Sequence, residues 1–288
     1  MAKSQSHQLG EFIGSFFEDL MKKPIREFTD KQGLYFDTNR PRKARGNKKT
    51  LTWTDIHSNK HRLDFVLEKG GTESCFGEPV AFIELAWRKY TKHSKNKAQE
   101  ISGAVNPICE KYEMIKPFKG AILSGVFTEN SLSQLKSEGF HVLYIPSEII
   151  VQAFSIYGLD IDYDEDSKEA DVKKKYAAIS KKSNIPILEK VRQEILKMCK
   201  TEIEQFITEL SSSYNRKIKT ICILPLHGSR TELESIEKAI DFINGYSTLP
   251  EEHNLEYIEV IVSYNNGTII QCQFKEKEEA VSFLDKIR

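Results

Sequence analysis

Residues 62–87, RLDFVLEKGGTESCFGEPVAFIELAW, decide the fold. Two apolar runs, Arg62 to Glu68 and Pro79 to Trp87, are separated by Gly70-Gly71 and Gly77, and they read as neighbouring β-strands. Val80 to Ile83 is apolar without a break, the pattern of a strand covered on both faces. Inside these runs Asp64 and Glu84 stand where Val or Ile would serve a purely structural role. A carboxylate in a sheet interior costs on the order of several kcal/mol unless a partner or a cation compensates it.

Upstream, Leu9, Phe12, Ile13, Phe16, Phe17 and Leu20 recur at three- and four-residue spacing, which predicts an amphipathic helix to about Lys22, with Pro24 limiting it or opening a new turn. Asn39 to Lys49 has six basic residues and no apolar period, so it reads as an exposed loop. Leu51 to Ile56 reads as a further strand. Downstream, Ser94 can cap a helix from Lys95 to Tyr112. GAILSGVF and HVLYIP then read as strands, SLSQLKSEGF and SEIIVQAFSIYG as helices. This order describes an α/β sandwich with a mixed central sheet flanked by helices.

Asp160 to Asp171 (DIDYDEDSKEAD) is acidic and reads as a solvated linker, which divides the chain into domains 1–165 and 166–288. The second is a smaller α+β domain: a long helix from Pro186 to Ser211, the strand KTICILPL, a helix from Thr231 to Gly245, two strands joined at Asn265-Asn266-Gly267, and a closing helix.

A chain of 288 residues with 39% hydrophobic and 29% charged side chains has the composition of a globular protein. No apolar run reaches the ~20 residues of a membrane helix, and the start shows neither a secretion nor a transit pattern, so a cytoplasmic address is expected. The net charge of zero conceals an asymmetry. Residues 1–150 hold 23 Lys+Arg against 18 Asp+Glu, whereas 151–288 hold 19 against 24, so a polyanion belongs on the first part. Five scattered cysteines suggest reduced, mostly buried thiols rather than disulfides or a zinc knuckle. His57 and His61 flank a Ser-Asn turn and lack the glutamate of HExxH, which discounts a zinc site. No P-loop or Rossmann glycine pattern occurs, so no nucleotide cofactor is expected. Trp53 and Trp87 are taken as core.

Asp on one strand, about twenty residues before Glu on the next, followed by a helix and a further strand, resembles the PD-(D/E)xK nuclease core. Gly14-Ser15-Phe16-Phe17-Glu18 looks like the GxxFE pattern of its first helix. The resemblance covers roughly residues 8–157. It implies a restriction-endonuclease-like fold and a homodimeric type II enzyme, in which the second domain supplies target recognition or dimer contacts; the alternatives are a catalytically degenerate DNA-binding protein on the same fold, or a repair or RNA nuclease. It also implies an Mg2+ ion held by Asp64, Glu84 and the Leu85 carbonyl, with double-stranded DNA as partner. Glu18 either reaches that ion through water, holds a second one, or is a plain exposed helix residue. The motif lysine is missing, because Glu84-Leu85 is followed by Ala86. Lys97, which opposes the helix dipole in its first turn, is the candidate replacement, with Lys95 and Arg88 as rivals. Glu100 is either its ion-pair partner or a relocated ligand. Arg88, Lys89, Lys92, His93 and Lys95, with Arg42, Lys43, Arg45, Lys48 and Lys49 of the basic loop, make up the expected DNA footprint.

Overall fold

The computed structural model describes residues 4–90, 94–164, 166–181, 185–225, 229–246 and 257–288. Two compact units emerge, one from residues 1–111 and 118–210, the other from 112–117 and 211–288.

In the first unit, α1 (Gln5–Gln32) opens with the Ser4 hydroxyl accepting from the His7 N–H and closes at Gly33 in the left-handed conformation. Pro24 lies inside it. Sequence reading had Pro24 limit the helix or open a new turn, because proline removes one helical hydrogen bond. The buried stripe resumes immediately with Ile25 and Phe28, and that burial carries the helix past the defect.

A five-stranded mixed sheet follows, ordered β1 (Tyr35–Thr38), β4 (Phe65–Lys69), β5 (Glu78–Arg88), β6 (Phe118–Gly125), β7 (His141–Pro146). The first three pair antiparallel, and β5, β6 and β7 run parallel. Parallel neighbours require crossovers, supplied by α2 (Ser94–Lys111) and α3 (Glu129–Ser137), and α4 (Ser147–Ile156) follows β7. The expected mixed central sheet flanked by helices is therefore present. Strand β1 escaped sequence reading because four residues are too few to show a period. The run Arg62 to Glu68 is two elements. Lys60–Arg62 (β3) pairs with Thr52–Thr54 (β2) in a separate hairpin, and β4 starts only at Phe65. Asp64 thus sits at the break between two sheets.

The segment 160–171 is not a solvated linker. Leu159, Ile161 and Tyr163 are buried, the alternation of an extended chain, while Asp160 and Asp162 between them pair with Lys175 and Lys89, each at 2.9 Å. Helix α5 (Glu169–Ile179) then packs along α1, with Phe12 edge-on to Tyr176, and α6 (Ile185–Met198) packs on α4. The break between units accordingly falls near Leu210, inside α7 (Lys200–Tyr214), rather than at 165. The single helix expected from 186 to 211 is interrupted at Cys199.

The second unit is a four-stranded antiparallel sheet, β11 (Ile269–Phe274), β10 (Ile258–Tyr264), β8 (Ile218–Pro225), β9 (Thr231–Leu233). Helices α8 (Ile236–Gly245) and α9 (Lys277–Lys286) share its buried core, which includes Ile221, Ile223, Val260, Val262 and Phe283. The expected α+β pattern holds, with the Asn-Gly turn in place and Gly267 at φ 85°. Thr231, read as the start of a helix, belongs to edge strand β9, and Ser235 caps α8 instead. Among the described residues no helix is long and apolar enough to cross a membrane.

The basic loop corrects another expectation. Arg42 is fully buried and donates to Asp37 Oδ2 at 2.6 Å and Glu68 Oε1 at 2.5 Å, both acids being fully buried themselves. Its guanidinium also reaches the Thr72 and Cys75 carbonyls and stacks between the Tyr35 and Phe76 rings. Arg45 is 9% exposed and pairs with Asp37. Neither arginine faces outward for DNA, because desolvated Asp37 and Glu68 need them as counter-charges. Lys43, Lys48 and Lys49 remain exposed. Replacing Arg42 by Ala strands two buried carboxylates and is expected to lower unfolding free energy by about 3–5 kcal/mol, whereas Lys49→Ala stays within about 0.5 kcal/mol. Urea denaturation of both variants checks this.

Candidate functional site

Asp64 and Glu84 meet where β4 begins and β5 continues past its pairing with β4. Registered pairing of these strands ends at Phe65 and Ile83, so the next polar groups must find other partners. They find each other: Asp64 Oδ2 accepts from the Leu85 N–H at 2.8 Å, and Glu84 Oε1 accepts from the Asp64 N–H at 3.2 Å. Each carboxylate is thereby held by the strand that carries the other. Among the described residues, Asp64 Oδ1 and Glu84 Oε2 take no hydrogen bond from the protein.

Glu84 is only 6% exposed. Its burial, and then the nearby charge of Asp64, push its carboxyl up to about 8. Asp64 is also raised, chiefly by burial and further by Glu18, against the Leu85 N–H, Lys97 and Arg62, which act in the opposite direction. The pair is therefore under-compensated. The ammonium of Lys97 favours the ionised form of both, but it also pairs with Glu100 at 3.3 Å.

Beside this pair, on the side of Asp64, opens a cleft of about 730 Å³. One wall is α1, from Ser4 to Glu18, and the other includes Asp64, the run Leu85 to Tyr90, Lys97 and Tyr163. At the rim, Val126 donates to the Arg88 carbonyl at 2.7 Å. A Cβ at Gly125 would stand 2.0 Å from that oxygen, and φ there is +98°, so only glycine permits this closure.

The structure thus brings together Glu18, Asp64, Glu84, Leu85 and Lys97, with Arg88 and Lys89 beside them. Glu18 pairs with Lys22 at 3.1 Å while facing the cleft. Lys89 pairs with Asp162 and lies 5.0 Å over the Tyr163 ring. Lys95 is exposed, and Lys92 and His93 lie outside the described residues. Ala86 lines the cleft with a methyl group where the motif carries its lysine. Trp53 is buried as expected, but Trp87 is half-buried and lines the cleft. His61 pairs with buried Asp55 at 2.7 Å, whose other contacts, to Asn59 and the His57 N–H, make it a turn anchor. Sequence reasoning missed Gly10, Tyr90 and Tyr163 as cleft residues. The glycines at 10 and 14, both inside a helix, were the legible signal.

Among the described residues no three His, Cys, Asp or Glu side chains converge as a metal cluster. The oxygen donors brought together are the two carboxylates of Asp64 and Glu84. Carboxylate oxygens are hard donors, the kind that could hold Mg2+ with several waters rather than zinc.

No protein-family model matches the chain, and no curated protein matches it. Among solved structures, that of a protein of unknown function, AF1548, is similar at 12% identity and a TM-score of 0.29, over 68% of this chain and 96% of its own. A likeness of that size carries no argument.

The raised carboxyl of Glu84 predicts a pH effect on the metal-free protein. Between the ordinary 4.5 and about 8 the folded state keeps a proton that the unfolded chain has lost, so stability falls as pH rises through that window. Glu84→Gln removes this contribution. Urea unfolding at pH 5 and pH 8.5 should show the parent losing stability relative to the variant, by an amount on the order of a few kcal/mol. Parallel curves would contradict the burial argument.

Proposed function

We propose that this protein is a Mg2+-dependent nuclease that hydrolyses phosphodiester bonds of DNA on a PD-(D/E)xK, restriction-endonuclease-like core. The observation that carries the reading is the Asp64/Glu84 pair: two partly desolvated carboxylates, each with an oxygen unshared, near Lys97, with Asp64 lining a cleft. Asp64, Glu84 and the Leu85 carbonyl would hold the ion. When bound, Mg2+ supplies a lowered water pKa and neutralises charge developing on the phosphate.

Lys97 takes the role left vacant at Ala86. Its ammonium, drawn toward the carboxylates and Glu100, orients the attacking water and meets the growing negative charge. Arg88 and Lys89 contact flanking phosphates from the rim, and exposed Lys95, Lys43, Lys48 and Lys49 add diffuse positive charge. Water adds to phosphorus, the P–O bond to the leaving oxygen breaks, and the proton released by the water ends on that oxygen. Double-stranded DNA is the substrate the resemblance implies. A homodimer in which the second unit makes the contacts would suit a two-fold target.

Ala86 favours one other reading, a DNA-binding protein with this fold and no catalysis. Incubation with plasmid DNA and Mg2+ separates the two. The expected result is cleavage, reduced at least about a hundredfold in Asp64→Ala and Glu84→Ala, and about 10²–10³-fold in Lys97→Ala. Cleavage that persists in both carboxylate variants contradicts the assignment, and a parent that binds without cutting establishes the inert binder.

A further inference from the structure

The β2–β3 hairpin stands outside the five-stranded sheet and has two unlike faces. Trp53 and His61 pair across it on the inner face, where the Trp53 ring meets Phe82 at 5.4 Å and Phe76 at 5.9 Å, edge to face, and His61 holds buried Asp55. The outer face carries Thr52 across from Arg62 and Thr54 across from Lys60. Both cations are exposed and both threonines half-buried. Among the described residues none of these four side chains has a hydrogen bond or an ion pair with the protein.

Two strands alone are marginally stable in water, yet this pair is anchored at several points. Asp55 closes the turn by accepting from the His57 and Asn59 N–H groups at 2.9 and 2.8 Å, with Ser58 at φ 68°. The Ile56 N–H donates to the Pro107 carbonyl of α2 at 3.3 Å, and Lys111 Nζ, also from α2, donates to the Thr54 carbonyl at 3.2 Å. At its other end the chain runs from Arg62 through Leu63 into Asp64, whose ionised form Arg62 favours. The polar face therefore begins beside the carboxylates and extends from them toward the C-terminal part of α2.

Lysine, arginine and threonine side chains are the groups that donate to phosphate oxygens in nucleic-acid complexes. Residues 52–62 contain a single acid, Asp55, and it is buried and occupied by the turn and His61, so nothing on the hairpin opposes an anion. A lipid surface would call for apolar side chains among the cations, where this face has threonines. An anchored ribbon also loses little conformational freedom on binding. We propose that the outer face of the β2–β3 hairpin binds the phosphodiester backbone of a nucleic acid, Lys60 and Arg62 each meeting a phosphate and Thr52 and Thr54 donating beside them, and directs the held strand to Asp64 and Glu84. Neither cation was part of the footprint expected from the sequence. Only the step from binding to cutting rests on the nuclease reading.

Fluorescence anisotropy on metal-free protein, with a labelled DNA duplex and with oligothymidine over about 50–200 mM salt, counts phosphate contacts through the slope of log affinity against log salt. The double variant Lys60→Ala, Arg62→Ala should lower affinity about tenfold or more and reduce that slope by about 2 in magnitude. Removing the same charge at exposed Lys31 of α1 and Lys190 of α6 should change the slope less than half as much. Lys60→Arg keeps the charge and should bind like the parent, and thermal unfolding checks that every variant folds. A parent that binds neither probe, or a slope that the hairpin variant leaves unchanged or the control matches, overturns the proposal. Hairpin-dependent binding to phosphatidylserine vesicles with none to DNA also overturns it, in favour of a lipid surface. Plasmid DNA with Mg2+ separates this contact from the nuclease reading. Hairpin-dependent binding without cleavage keeps the contact and removes the nuclease, whereas cleavage that needs Asp64 and Glu84, with the hairpin variant binding like the parent, keeps the nuclease and removes the contact.

Discussion

Two carboxylates that hold each other's strands impose the central constraint on this protein. Asp64 accepts from the backbone beside Glu84, and Glu84 accepts from the backbone of Asp64, so neither can turn away without leaving an N–H unsatisfied. Charge repulsion and burial oppose this arrangement, and Lys97, itself shared with Glu100, together with Arg62 near Asp64, offsets them only in part. An apolar pair would be more stable in the same place. Retaining the acids makes sense where a cation enters.

The rest of the first unit serves that arrangement. Helix α1 forms a wall because its buried stripe runs past Pro24 and anchors it on the sheet. The α2 crossover brings Lys97 back to the strand end from which it departs. Gly125 lets β6 close against the Arg88 carbonyl and so fixes the rim. Elsewhere, the fully buried Arg42 neutralises Asp37 and Glu68 at 2.6 and 2.5 Å. The contrast is informative: at Arg42 the acids receive a full counter-charge in a closed site, and at Lys97 they do not, in an open one.

Much of this was legible in the sequence, for identifiable reasons. Asp64 and Glu84 stood out because charges interrupt apolar strands, and Lys97 because it opposes its helix dipole. The long apolar runs of β5 and β6 exceed any ambiguity of period. Arg42 misled, since composition alone cannot distinguish a basic loop that faces water from one folded onto Asp37 and Glu68, acids on two separate strands. Tyr163 was hidden in an acidic stretch, although the alternation Leu159-Asp160-Ile161-Asp162-Tyr163 carried a period of two. The division near Leu210 was invisible because the helices before it bury their apolar faces on α1 and α4, partners far away in sequence.

The most direct measurement of the central claim is calorimetric titration of Mg2+ at pH 7 in buffers of different ionisation enthalpy. With Glu84 raised to about 8, the metal-free pair holds a proton that a bound cation must displace. The account predicts binding coupled to proton release that diminishes as pH is raised past 8, and loss of both in the Asp64→Asn, Glu84→Gln double variant. Binding and proton release that are unchanged in the double variant, or absent from the parent, would contradict it.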